Sequence, residues 1–458
     1  MLRGRVRALR CLKDDERGAI LIYFTVALFA LLPVAGAAMD LGHVFLVKQR
    51  LTNAADSAAL AIGRRPNITS DQATALLESF IRARYTGNLK NVAVSDTGTQ
   101  VNVTITVTVP MTFMQVLNTQ SVDITVGAAA VRPQGKLEIA LVLDQTGSMG
   151  TVPPGANMSK IASLKLAAKD LIDAVVWDNQ TADYYSKVAI VPYAAGVNVG
   201  NKADLVRGPI SLGCLLLGCD SFRFQNISGV FKTYTVSTCV SERTGAQAYT
   251  DVPPSPIARV GLNYPPPGDA CPSNSITPLT NDKTFLKSQI DLLQAAGSTA
   301  GHIGVAWGWY LLSPYWGYLW PAASQPAPYG DLNELDAMGR PLLRKIMILM
   351  TDGDFNTAYC QGVISHNSSG STSDHISCDA PVDSFTQAQN LCTHAKLDAG
   401  VIIYTIGFGL PPGPSSARTL MTNCATDVSH AFLAATGDQL RQAFREIASR
   451  IANLRLTN

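Results

Sequence analysis

The chain has 458 residues, 47% of them hydrophobic and 15% charged, with a formal net charge of +2. That length suits two or three folded units rather than one small core, and the composition is that of a folded chain, not a disordered one. Near-neutral charge offers no basic face for nucleic acid, and six histidines without an HExxH pattern exclude the common zinc-protease site.

The first element is Gly18 to Met39, GAILIYFTVALFALLPVAGAAM, 22 residues without a charge. As a helix this run is about 33 Å long, enough to cross the hydrocarbon of a bilayer. Pro33 lies within it, which membrane helices tolerate. Arg3, Arg5, Arg7, Arg10, Lys13 and Arg17 precede it. The positive-inside rule keeps that flank, residues 1–17, cytoplasmic and exports everything after Asp40. A signal peptide cleaved at Ala35-Gly36-Ala37 is the alternative, but the apolar run is longer than a signal peptide's usual core.

Beyond the span, Val44, Val47, Leu51, Ala54, Ala55 and Ala58 keep a three-and-four spacing, so the helix is expected to continue outward to residue 63. A second helix is expected over Asp71–Arg84, capped by Ser70 or Asp71. The period then falls to two in QVNVTITVTVP (100–110) and SVDITVGAAAV (121–131), two half-buried strands, with a hairpin turn at Asp96-Thr97-Gly98 ahead of them. Residues 40–134 thus read as a small α+β stem. The stretch from Asp14 to Ala61 resembles the N-terminus of TadE/TadG-type proteins of the Flp (tight adherence) pilus system. The resemblance rests on Glu16-Arg17-Gly18, on Asp40 and above all on Ala54-Ala55-Asp56-Ser57-Ala58-Ala59-Leu60. Pseudopilins of that system carry glutamate five residues after their cleavage site. Tyr23 stands there in this chain, which points to the TadG branch with its anchor retained.

Leu137–Leu143 is a buried strand running into Asp144-Gln145-Thr146-Gly147-Ser148, and residues 160–176 carry an apolar helical stripe. Hydroxyls and a carboxylate at i, i+2 and i+4 of a strand-to-helix turn can converge, and hard oxygen donors suit Mg²⁺. The same residues also suit an ordinary helix cap or turn. Two further segments follow: GSTAGHIGVAWGWYLLSP (297–314), with Thr299 in its turn, and KIMILMTDGDFNT (345–357), an apolar strand ending in Thr351-Asp352-Gly353-Asp354. In this order the three segments resemble a von Willebrand factor A domain and its metal-ion-dependent adhesion site. The resemblance implies a Mg²⁺ (or Mn²⁺ or Ca²⁺) site made of Asp144, Thr146, Ser148, Thr299 and Asp352. Thr146 and Ser148 would be direct ligands, and Thr299 direct or through water. Asp144 and Asp352 would act mainly through bound water, and a partner protein would donate a carboxylate to the ion.

Strands are expected at 187–194, 400–409 and 429–435. A closing helix over 437–454 has Leu440, Phe444, Ile447 and Ile451 on one face. Alternation of strands and helices gives a doubly wound, mostly parallel, Rossmann-like sheet in an α/β domain over 135–458. Residues 198–282 and 355–382 are too long for connections and read as insertions around the site mouth, where they would set partner choice. Cys11 precedes the span, and the other eight cysteines, 214, 219, 239, 271, 360, 378, 392 and 424, follow it. This distribution suggests disulfides in an oxidising compartment, their pairing open, with buried thiols as the alternative. The tryptophans at 307, 309, 316 and 320 fit core packing or an aromatic contact patch. His302 is expected to have no catalytic role, Asp354 is left out of the site, and no phosphate loop or nucleophile arrangement is visible. The expectation is a non-enzymatic, single-pass protein of the bacterial inner membrane, a structural or adhesion component of Flp pilus assembly. Alternatives are an accessory of a chelatase or ATPase-linked assembly, or an adhesin unrelated to pili.

Overall fold

The computed structural model describes residues 19–65, 68–97, 100–131, 135–178, 180, 184–207, 221–256, 258–261, 271–335, 339–370 and 374–454. The chain divides into two compact units, Met1–Arg132 and Pro133–Asn458. Cys11, Cys214, Cys219, the basic residues ahead of the span, Gly98 and Pro265–Gly268 lie outside the described residues.

In the first unit α1 (Ala19–Gly63) is one helix of 45 residues that runs through Pro33. Its outer half buries Val47, Leu51, Ala54, Ala55, Ala58, Ala59 and Ile62. That face is mostly alanine, so the helix lies close against a sheet, while Phe24, Phe29, Leu31 and Leu32 are exposed. α2 (Ser70–Arg82) is capped by Thr69 and not by Ser70 or Asp71. The Thr69 hydroxyl accepts the Gln72 N–H, and the Gln72 side chain accepts the Thr69 N–H in return. The sheet is antiparallel, in the order β1 (Leu89–Asp96), β2 (Gln100–Pro110), β3 (Ser121–Val131). Alternation in β2 sends Val101, Val103, Ile105, Val107 and Val109 into the core. β1 breaks that alternation with a register shift between Leu89 and Asn91, which hid it from the sequence reading.

The second unit is built on a six-stranded sheet. Its order is β6 (Thr277–Thr280), β5 (Tyr184–Tyr193), β4 (Gly135–Asp144), β7 (Leu343–Thr351), β8 (Ile402–Phe408), β9 (Ala431–Ala434). The pairs from β5 to β9 are parallel. β6 is antiparallel to β5, so the sheet is mostly parallel, as expected, but mixed at one edge rather than the doubly wound, Rossmann-like sheet that was expected. β6 is four residues long and lies at the end of an insertion, so nothing in its pattern marked it.

One face carries α3 (Lys160–Val175), α4 (Lys283–Asp291) and α8 (Gly437–Leu454), and Leu440, Phe444, Ile447 and Ile451 are buried there. The other carries α5 (Gly301–Tyr310), α6 (Ser384–Leu397) and α7 (Ser416–Cys424). Every residue of α5 is buried. It lies so close to the sheet that a Cβ on Gly304 would be 2.7 Å from Tyr193, and one on Gly308 2.5 Å from Val142. Trp307 and Trp316 meet edge to face at 5.4 Å, and Tyr310 stacks on Trp316 at 4.1 Å. The tryptophans are therefore core and not a contact patch.

The insertions fold onto each other. A hairpin, Ser221–Gln225 with Phe231–Thr235, reaches the second insertion through Asp374, which accepts Asn226 Nδ2 at 2.8 Å and the Tyr234 hydroxyl at 2.7 Å and pairs with Lys232 at 3.1 Å. Phe224 and Val363 share a small apolar cluster between them. Disulfides join Cys239–Cys271, Cys360–Cys378 and Cys392–Cys424, the last tying α6 to α7.

Candidate functional site

The turn after β4 lies where the carboxyl ends of β4, β5 and β7 meet. Backbone bonds lace the neighbouring loops to it. Gly147 N–H donates to Gly297 O (2.9 Å), Ala296 N–H to Gln145 O (2.9 Å) and Ala300 N–H to Ala194 O (2.9 Å). The three segments singled out in the sequence therefore converge.

Asp144 is fully buried. Its Oδ1 accepts the Thr146 N–H (2.8 Å) and hydroxyl (2.7 Å), and its Oδ2 accepts the Thr351 hydroxyl (2.9 Å) and the Asp352 N–H (3.3 Å). The Tyr193 hydroxyl, 3.4 Å from Oδ2, donates to the Met350 carbonyl at 2.9 Å. Burial first, and the charge of Asp352 second, raise the Asp144 carboxyl to about 6, while the bonds from Thr146 and Thr351 pull the other way. Asp352, 5% exposed, accepts the Ser148 hydroxyl on Oδ1 (2.5 Å) and pairs through Oδ2 with the Lys160 ammonium (2.8 Å). Thr146 Oγ1 and Ser148 Oγ lie 3.0 Å apart. Thr299 stands on the adjoining loop, its N–H donating to Asn356 Oδ1 (3.0 Å) and its carbonyl accepting from Asn356 and Thr357.

Asp144, Thr146, Ser148 and Asp352 thus form one hydrogen-bonded cluster, with Thr299 beside it. This donor set does not fit the expected divalent cation. Among the described residues no group of three or more His, Cys, Asp or Glu side chains could hold a metal ion. Both oxygens of each aspartate already serve protein donors, and the cation beside Asp352 is Lys160, tethered at the first turn of α3. The expected Mg²⁺, Mn²⁺ or Ca²⁺ is withdrawn, and with it the metal-dependent adhesion site and the partner carboxylate that was to complete it. Lys160 opens KIASLKLAAKDLIDAVV, whose apolar stripe gives no sign of a partner for the lysine.

Two neighbouring side chains have structural work. Asp354 Oδ1 accepts the Ala417 N–H at 2.7 Å at the start of α7. His302 Nδ1 meets the Ser384 hydroxyl at 2.6 Å, and its Nε2 is 3.5 Å from Glu242 Oε2, while Glu242 Oε1 accepts the Tyr359 N–H at 2.7 Å. Sequence reading missed this Ser–His–Glu array, because its members lie 60 and 82 positions from His302. All three are buried, so the array joins both insertions to α5 and α6 rather than facing a substrate.

Residues 18–63, about a tenth of the chain, match the Tad family, described as "Putative Flp pilus-assembly TadE/G-like". No curated protein matches the chain. Similar solved structures include the pilus adhesin SpaC from Lactobacillus rhamnosus GG (13% identity, 79% of this chain and 34% of that one, TM-score 0.36). They also include the vWF domain of the type V pili tip protein Mfa5 from Porphyromonas gingivalis (15%, 71% and 97%, 0.39). A third is the pilus adhesin RrgA from Streptococcus pneumoniae (10%, 79% and 49%, 0.33). The chain spans about a third of the length of SpaC, and likeness at this level carries no functional argument. What stands is an N-terminal region similar to the Tad family, followed by a C-terminal α/β unit built on a mixed six-stranded sheet.

Proposed function

We propose that the chain is a TadG-type, single-pass membrane component of Flp pilus assembly that works by binding other proteins and not by catalysis. The observation that carries this reading is the coincidence of the Tad match over residues 18–63 with α1, one unbroken helix that is apolar and exposed at one end and buries an alanine face at the other. Among the described residues α1 is long and apolar enough to cross a membrane. The basic residues ahead of it favour a cytoplasmic N-terminus, and the disulfides among the described residues after it favour export of the rest. On this reading residues 1–17 form the tail, 18–39 the anchor, 40–134 the stem and 135–458 the exported domain.

Recognition is assigned to the paired insertions, whose hairpin exposes Ile227, Val230 and Phe231 on the rigid sheet scaffold. Deletion of the chain in its host is expected to abolish piliation. Normal piliation with weakened attachment would instead support an adhesin unrelated to pili. Capture of pilus components by the full chain is expected to persist in EDTA and to fall in an Ile227→Ser, Phe231→Ser variant.

A further inference from the structure

Gly36 and Asp40 lie one turn apart on α1 and are both buried, although Leu32, Val34, Met39 and Leu41 around them are exposed. What covers them is the connection from β2 to β3, residues 111–120. A Cβ on Gly36 would lie 2.7 Å from Phe113 Cβ, so only glycine admits this side chain against the helix. Asp40 accepts the backbone N–H groups of Thr112 (3.1 Å), Phe113 (2.8 Å) and Met114 (2.7 Å). Gln115 Nε2 adds a bond to the Met111 carbonyl at 2.5 Å. Phe113 itself remains 47% exposed.

We propose that the β2–β3 connection is a second membrane contact, with Phe113 seated in the outer boundary of the lipid bilayer beside the span. The argument rests on the reading of α1 as a membrane helix and is one of depth. Asp40 is the first charge after the apolar run, and Gly36 lies about 6 Å inside that run along the helix axis. Phe113 packs at the level of Gly36, so an α1 that spans carries Phe113 with it. Irregular backbone at that depth must have its polar groups satisfied within the protein. Asp40 does this for three successive N–H groups. The next charges along the sheet, Lys90 and Asp123, are paired with each other, and Asp123 also accepts the Thr108 hydroxyl. Thr108 precedes the connection by three residues, about 10 Å of strand, which suits headgroup level. The loop fixes how the stem leaves the membrane: α1 and the tip of the sheet meet the surface together.

The test places the photo-crosslinker p-benzoyl-phenylalanine at position 28, 113 or 95 of the full chain in phosphatidylethanolamine–phosphatidylglycerol nanodiscs. Position 28 is in the span, and 95 is near the opposite end of the sheet, since Ser95 pairs with Asn102. Phospholipid adducts are expected at 28 and 113 and not at 95, with the adduct at 113 lost and that at 28 kept when Gly36→Leu displaces the loop. An adduct at 28 with none at 113, or crosslinking of 113 to protein, overturns the proposal. Loss at both 28 and 113 overturns the membrane reading itself.

Discussion

A lysine–carboxylate pair lies near each end of β4 and β7, the one at the carboxyl end drawing its lysine from α3, and the two ends behave differently. At the amino end Glu138 and Lys345 are register partners, both with fully buried side chains and 2.5 Å apart. Glu138 also accepts the Tyr185 hydroxyl (2.8 Å) and the Ala327 N–H (2.7 Å), so one acid faces one base and spare lone pairs are served. Desolvation lowers the Lys345 pKa, and the Glu138 charge opposes it. At the carboxyl end Asp352 pairs with the Lys160 ammonium, while Asp144 beside it has hydroxyl and N–H donors but no cation among the described residues. Burial first, and the neighbouring Asp352 charge second, raise the proton affinity of Asp144. The amino-end pair matches one acid to one base, so losing either partner strands a buried charge, whereas the raised pKa of Asp144 makes stability at the carboxyl end depend on pH.

The largest effect is expected from Lys345→Met, which strands a buried carboxylate and costs about 3–5 kcal/mol. Adding Glu138→Gln should recover most of that loss. Tryptophan fluorescence in urea reads it, since all five tryptophans, at 177, 307, 309, 316 and 320, are in the second unit. If the single and double variants are equally unstable, the pair is not the cause. Next comes Asp144. Its folded-state pKa of about 6 exceeds the ordinary aspartate value of 3.8, so its contribution to stability is full below about pH 4 and is lost as pH rises through 6. Between pH 7 and 4 the wild type should gain about 2 kcal/mol relative to Asp144→Asn. A pH-independent difference between the two would refute this. A smaller loss, about 2 kcal/mol, is expected for Lys160→Met, because Asp352 keeps the Ser148 hydroxyl and the Lys160 side chain is not fully buried. The smallest is no effect at all. Millimolar Mg²⁺ or EDTA should leave the Tm unchanged, and a rise with Mg²⁺ would mean that a cation competes with Lys160 after all.

Much of the architecture was legible because burial imposes periodicity. β2, β3 and α8 occupy the residues their apolar spacing marked, and DQTGS and TDGD were correctly read as strand ends meeting at one place. The failures share a cause. Lys160, Glu138 and Lys345 are polar residues within amphipathic or apolar runs, and their partners lie 192 and 207 positions away. An oxygen-rich turn announces that something positive sits beside it, but not whether that is an ion or an ammonium. β6 and the Ser384–His302–Glu242 array were equally hidden, being set by an insertion without a period of its own.

By itself the sequence determined an apolar helix, an alanine face to pack it, and a set of strands and helices whose periods fit an α/β unit, because hydrophobic burial is read locally, residue against neighbour. Which cation answers the acids at the head of the sheet, which loop covers Gly36, and which buried charges balance were decided only by the tertiary fold. Electrostatic pairing acts across space between residues that the chain keeps far apart, and no local pattern records it.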